Sequence, residues 1–405
     1  MKNISFLSIA LIGLVASMLF SCDNAERKAL DNLVYIAEAS SAKTKNVSIS
    51  SEETHTTITA RLAHAIGEDV SFTIEADENI LNEYNTNNEA SYKMLPSDLF
   101  TIKNANAVIK AGEVTSEPID ITIREFDPQG VQYAIPVKIG NVSGNVSKSN
   151  SSSKLMLLVL KSLEQPVPKF EYGNAMILAP TDASWNLDLP NYTLEWWCRV
   201  TGKTDPSKGF SVNNQALFDN KEDNSQLYVR FGDLVYHGPS GYAYNFLQVK
   251  TFGSQFDTGD PTSGAGLTSG EWYHFAITYD AASGTSKLYQ NGNLISTLTT
   301  AAGQNMKINS LYMICSERTY CKDYFEMAQV RLWKVTRSDA QIQNNMNYEV
   351  DYTNKDLILY LPMSEGQGST LKDVTGNGHD AVIGNNPSWG GNSEAVSWET
   401  YSFKN

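Results

Sequence analysis

One stretch of this chain concentrates side chains suited to gripping flat, weakly polar molecules. Val235-Tyr-His-Gly-Pro-Ser-Gly-Tyr-Ala-Tyr-Asn-Phe246 sets Tyr236, His237, Tyr242 and Tyr244 among glycines. Aromatic faces stack on sugar rings, and the phenol and imidazole tips can hydrogen-bond. Trp185, between Ser184 and Asn186, is expected as a further exposed ring. The other use of these rings is to pack back on a sheet. A second cluster places Asp373, Asn377 and Asp380 around Gly376 and Gly378. Hard oxygen ligands in a turn suit Ca2+, whereas the same side chains can cap their own backbone. Cys315 and Cys321 flank Ser316–Tyr320 between two strand-like runs. In an oxidising compartment they could form a disulfide across a hairpin; the other reading is two thiols. Neither has a His or a second Cys pair at zinc-ligand spacing. Cys198 alternates with Leu194 and Trp196, as a buried, inert thiol would. The five His follow no metal pattern, and neither a Gly-x-Ser-x-Gly elbow nor a phosphate-binding glycine loop occurs.

The elements that must position these residues read as strands. Leu33–Ile36, Val47–Ile49, Thr56–Ala60, Val70–Ile74, Ile119–Ile123 and Val137–Ile139 alternate apolar and polar residues, with turn formers between them. Leu155–Leu160 is an apolar run of buried-strand length. Leu81–Tyr92 is a polar excursion, read as a short helix or loop. Lys161-Ser-Leu-Glu-Gln-Pro-Val-Pro168 marks a boundary, because two prolines with one residue between them remove backbone donors and favour extended chain. The second half continues with Tyr192–Val200 and Glu271–Asp280. A turn at Ala281–Thr285 leads into Lys287–Gln290, and Asn291-Gly292 is a two-residue hairpin turn into Leu294-Ile295. Ser338 with Gln341 predicts a capped helix with Ile342 and Met346 on one face. The fold class expected is all-β. A sandwich over 29–161 is followed by a linker over 162–169 and a second β domain over 170–405.

The net charge of −14 disfavours nucleic-acid partners, which need a basic face. Near the first residue, Lys2 precedes an apolar run from Ile4 to Phe20, too short and too terminal for a good membrane span. It ends in Leu19-Phe20-Ser21-Cys22, which resembles the lipobox of bacterial lipoproteins. That resemblance implies a signal peptide over 1–21, lipidation at Cys22, a tether over 22–28 and a membrane-anchored protein working outside the cytoplasm.

Further segments of the second half resemble a laminin-G-like domain of the concanavalin A-like lectin superfamily. They are Phe170–Ile177, Tyr192-Thr-Leu-Glu-Trp-Trp197, Glu271–Asp280 with Leu288-Tyr-Gln-Asn-Gly292, and Val330-Arg-Leu-Trp333 with Ser338–Ile342. Leu359–Gly368 and Lys372–Asp380 resemble a piece that opens many relatives, so this copy looks circularly permuted. The resemblance implies a jellyroll, and its matching 373–380 turn often contributes to a calcium site. Two departures weaken that site here. Met327-Ala-Gln-Val-Arg331 lacks the family's acids, and Glu171 and Asn174 replace the usual Asp residues of the opening turn. Tyr84-Asn85, Tyr92–Pro96 and Ile109–Glu113 resemble the Ig-like domain that opens many lipoproteins of Gram-negative glycan-utilisation systems. This implies an outer-membrane, surface-facing lipoprotein that binds an extracellular glycan or glycoprotein beside other components of such a system. Some jellyroll relatives hydrolyse glycosides with a Glu-x-Asp-x-(x)-Glu strand. Here Glu349-Val-Asp351 is followed by Thr353 and Asn354, so the second Glu is missing and no enzyme is expected. An adhesion protein that binds another protein is the alternative.

Overall fold

Alternation becomes strand throughout both halves, because period-two apolar residues are buried only when one face of an extended chain meets a core. The computed structural model describes residues 32–49, 52–161, 163–170, 176–178, 185–220, 222, 226–316, 320–384 and 396–403. In the first half the main sheet runs in the order Thr44–Ile49, Lys154–Lys161, Tyr133–Val142, Val70–Ala76, Asn106–Ile109. A smaller sheet orders Thr54–Ile58, Ile119–Ile123 and Phe100–Ile102. Another orders Ser147–Lys148, Leu33–Ile36 and Ala60–Leu62. Their apolar faces share one core that includes Val34, Ile58, Phe72, Ile121, Val137 and Leu157. The excursion after Asp77 is the helix Glu78–Asn88, with the Asp77 side chain accepting from Asn79 N–H.

The second half is a jellyroll of two facing sheets. One runs in the order Asn293–Thr299, Thr285–Gln290, Trp272–Asp280, Asn191–Thr201, Tyr324–Trp333, Leu163–Phe170, Ser397–Phe403. The other runs Ser254–Asp257, Leu247–Thr251, Leu227–Phe231, Gln215–Asp219, Leu311–Met313, Met176–Leu178, Ala381–Ile383, Thr370–Leu371. Leu194, Trp196, Leu217, Val229, Val249 and Phe275 fill the space between them. The Asn291-Gly292 turn forms as expected, with φ of 50° and 77° and Gln290 opposite Asn293. The helix Asp339–Asn345 starts with the expected reciprocal bonds between Ser338 and Gln341.

The expected linker is a strand. Leu163–Phe170 pairs along its length with Ser397–Phe403, from Leu163 opposite Phe403 to Lys169 opposite Ser397. Pro166 and Pro168 lie two residues apart, so both missing donors fall on the same edge and the other edge remains free to pair. Among the described residues no helix is long and apolar enough to cross a membrane. Cys22, with the signal peptide and tether expected around it, lies outside the described residues.

Candidate functional site

The aromatic loop connects two adjacent strands of one jellyroll sheet, Leu227–Phe231 and Leu247–Thr251. Within it His237–Gly238 and Gly241–Tyr242 form a short hairpin that sets His237 opposite Tyr242. Their rings meet edge to face at 4.9 Å. Tyr242 remains 47% exposed. Tyr236 is turned the other way. Its ring packs edge-on against Phe246 at 4.9 Å, and its hydroxyl donates to the Asp257 carboxylate at 3.1 Å. Burial and the Asp257 charge push its phenol up to about 12. Tyr244 is half-buried against the core. The four loop residues therefore divide: Tyr242 and His237 are presented, while Tyr236 and Tyr244 anchor the loop.

Tyr242 and Tyr244 line an open cleft of about 500 Å³ formed by three loops, with Phe210, Ser211, Asn245, Thr268 and Ser269. Local hydrogen bonds hold its walls. Ser211 donates through its N–H and hydroxyl to Asp323, both at 2.8 Å. Asn245 Nδ2 donates to Leu267 O at 2.9 Å. Ser269 Oγ accepts from Gly209 N–H at 2.8 Å and donates to Pro206 O at 2.6 Å. Phe210 supports the floor through an edge contact with Phe231 at 5.1 Å. A site with polar walls and an exposed ring at the rim can hold a hydroxylated ring by stacking and hydrogen bonds. Among the described residues the lining contains no Asp or Glu.

Trp185 is not brought to this cleft. It is 1% exposed, sits in the jellyroll core and meets the His379 ring edge-on at 4.7 Å. Its polar neighbours in sequence suggested exposure, but the indole's apolar area is better removed from water.

Asp373, Asn377 and Asp380 do meet in one turn, but their polar atoms face the chain's own backbone. Asp373 Oδ1 accepts from Tyr360 N–H and Thr375 N–H at 3.1 Å and from Thr375 Oγ1 at 2.7 Å. Its Oδ2 accepts from His379 N–H at 3.1 Å. Asn377 presents its nitrogen, donating to Ile358 O at 2.8 Å. Asp380 accepts from Asp373 N–H and from the Lys372 ammonium. Oxygens turned to N–H groups, with an ammonium on one carboxylate, do not fit a resident calcium ion. Among the described residues no group of three or more His, Cys, Asp or Glu could hold a metal.

The Cys315–Cys321 disulfide is absent as well. Both sulfurs are buried thiols, and Cys321 Sγ shares a hydrogen bond with Ser316 Oγ at 3.2 Å. Asp351, half of the incomplete carboxylate pattern, is spent on Lys93 at 2.9 Å and on Thr353.

Sequence reasoning missed a buried charge cluster on the face of Asn191–Thr201 away from the core. Glu195 is fully buried. Arg337 donates to its Oε1, and His274 and Arg331 lie 3.7 Å from its Oε2. Burial alone would raise the Glu195 carboxyl; Arg337, His274 and Arg331 outweigh it and hold it at about 2. Strict alternation offered a signal, since Glu195 shares the strand face of Trp197. The helix Asp339–Asn345, whose Gln341 O accepts from Arg337, makes this face interior.

Residues 30–146 match the model of an N-terminal domain family. Residues 173–343 match the model of the concanavalin A-like lectin/glucanases superfamily. A solved Bacteroides ovatus protein, assigned provisionally to carbohydrate binding by its name, shares the fold over 91% of this chain and 97% of its own, at 19% identity and a TM-score of 0.57. EndoBT-3987 of Bacteroides thetaiotamicron, solved with a Man5GlcNAc product, aligns over 32% of this chain and 30% of its own, at 21% identity and a TM-score of 0.27. A SAP-like pentraxin of Limulus polyphemus aligns over 44% of this chain and 80% of its own, at 10% identity and a TM-score of 0.31. No curated protein matches the chain.

Proposed function

We propose that this chain, with a concanavalin A-like domain in its second half, is a surface lipoprotein that binds an extracellular carbohydrate without cleaving it. The observation that carries the reading is the rim position of Tyr242, 47% exposed above a cleft whose polar walls are already held in place. Preorganised walls lower the ordering cost that weak sugar contacts must overcome. Among the described residues no carboxylate lines the cleft, whereas the two-carboxylate route to hydrolysis needs an acid and a base or nucleophile in the site. The Leu19–Cys22 lipobox supports the anchor. Anchoring needs more than one acyl chain to be stable. In the same reading, Cys22→Ala releases the protein from the membrane fraction without unfolding it; unchanged anchoring counts against acylation.

A protein ligand is the second reading, favoured by Leu234 and Val235, 53% and 47% exposed beside the same loop. A glycan array probed with the fragment from Asp23 onward separates the two. A glycan hit whose affinity falls ~10-fold in Tyr242→Ala, about 1.4 kcal/mol, with unchanged melting temperature supports the carbohydrate reading. An array without hits moves the protein-binding reading ahead.

A further inference from the structure

We propose that the groove between the two domains is a second saccharide site, in which a short neutral sugar is held by residues of both. This rests on the carbohydrate-binding reading above but concerns a different surface. The groove encloses about 300 Å³, at the small end of small-molecule sites. Its floor comes from the jellyroll. Trp333 is 4% exposed, lines the groove, and buries an Nε1–H that has no hydrogen-bond partner. The Arg337 guanidinium lies 4.4 Å from the Trp333 ring centroid and covers one face of the indole. The rim combines Glu89 and Ser91 of the first domain with Gln341 and Asn344 of the jellyroll helix. The Gln341 side-chain oxygen is taken by Ser338 N–H, which leaves its amide donors for another acceptor.

The charges select the ligand class. Lys93 is paired with Asp351 at 2.9 Å across the domain boundary. Arg337 is ion-paired with Glu195, a carboxylate it shares with Arg331. Asp356 lies 3.7 Å from Lys334. Among the described residues both cations that line the groove, Lys93 and Arg337, already face a carboxylate, and no group of three or more His, Cys, Asp or Glu could hold a metal ion. What remains is a buried indole donor, side-chain amides, and the Glu89 carboxylate, which has no ion-pair partner among the described residues. That set matches a neutral ligand carrying several hydroxyl groups. A buried donor without a partner costs free energy in the free protein, and a sugar oxygen that reached it through a small shift of the groove wall would remove that cost.

The test uses the full chain labelled with 15N-tryptophan, titrated in turn with mannobiose, chitobiose, lactose, maltose and cellobiose, and with inorganic phosphate. Trp333 is identified among the seven indoles by the signal lost in Trp333→Phe. The surface variants Asn344→Ala and Glu89→Gln report on the groove even if that variant does not fold. Expected is a saturable shift of the Trp333 indole with at least one disaccharide, weakened at least fivefold by Asn344→Ala and by Glu89→Gln and unchanged in Tyr242→Ala. A shift that instead follows Tyr242→Ala places the sugar in the loop cleft, overturning the groove site while leaving the proposed function standing. No Trp333 response to any of the five disaccharides also overturns it, and the glycan array separately decides the fate of the loop cleft. A response to phosphate alone overturns the neutral-ligand assignment.

Discussion

Side chains of one type serve opposite ends according to what surrounds them. Tyr242 and Tyr236 stand six positions apart in one loop, yet one faces solvent and the other is bound to Asp257. Tyr236→Phe is therefore expected to lower stability by about 1 kcal/mol through a lost hydrogen bond, whereas Tyr242→Ala leaves the melting temperature unchanged. Trp185→Ala should cost roughly 3–5 kcal/mol as a core cavity, and any loss of ligand binding should track the fraction unfolded. A chemical denaturation series reads all three. Glu195 and His274 make stability depend on acid in the same direction. Glu195, ordinarily near 4.5, is held at about 2. Its contribution is complete above pH 4.5 and is lost as pH falls toward 2. Burial chiefly lowers His274 from its ordinary 6.5, so below that pH the unfolded chain takes up a proton that the folded chain resists. The melting temperature should fall steadily from pH 6.5 to pH 2. Glu195→Gln should lose roughly 3–5 kcal/mol at neutral pH and show a flatter decline below pH 4.5. A variant curve parallel to wild type would show that Glu195 is not the titrating group.

Turns and caps decide how these residues meet. The helix Asp339–Asn345 is only two turns long, so its end bonds matter more than its propensity. It covers the Glu195 face, and Arg337 reaches both Glu195 and Gln341 O. Ser338→Ala should cost about 1 kcal/mol, seen as a small drop in melting temperature. The turn from Lys372 to Asp380 is tied by Asp373 to Tyr360, Thr375 and His379. With its oxygens already accepting N–H groups, millimolar calcium and a chelator should give the same melting curve. A calcium-dependent rise would mean that the turn reorganises around the ion, because a ligand bound only by the folded state must stabilise it.

Across the whole molecule the two sandwiches are joined by more than the chain. Lys154–Lys161 lies one residue before Leu163–Phe170, so the last strand of one main sheet leads straight into the other. Tyr348 packs against a first-domain cluster that includes Ile80, Leu81 and Leu158. Gln132 Nε2 donates to Asn345 Oδ1 at 2.6 Å. Gly130, with φ of 75°, sits so close to Val350 that a Cβ would fall 1.9 Å from its carbonyl oxygen. Calorimetry should show one cooperative transition for the wild type, and Gly130→Ala should split or broaden it by parting the domains. Limited proteolysis should spare 163–170, whose backbone is paired, contrary to what two prolines suggest. Early cleavage there would argue that the pairing with Ser397–Phe403 is weak.

Local rules determined a great deal of this protein. Period-two alternation located the strands of both domains, Asn291-Gly292 its hairpin, and Ser338 and Gln341 the helix start. Each depends on neighbours within a few residues, which a sequence displays directly. The tertiary structure alone decided what depended on distant partners. Trp185 went inside because His379 and the core were there to receive it. Asp373 became a backbone clamp because Tyr360 and His379 present N–H groups to it. Pro166 and Pro168 joined a sheet because Ser397–Phe403 returns from far along the chain to pair with them. The interdomain groove, lined by Glu89 of one domain and Asn344 of the other, exists only once two separately legible domains have docked, since burial and charge pairing are properties of the assembled surface and not of any segment.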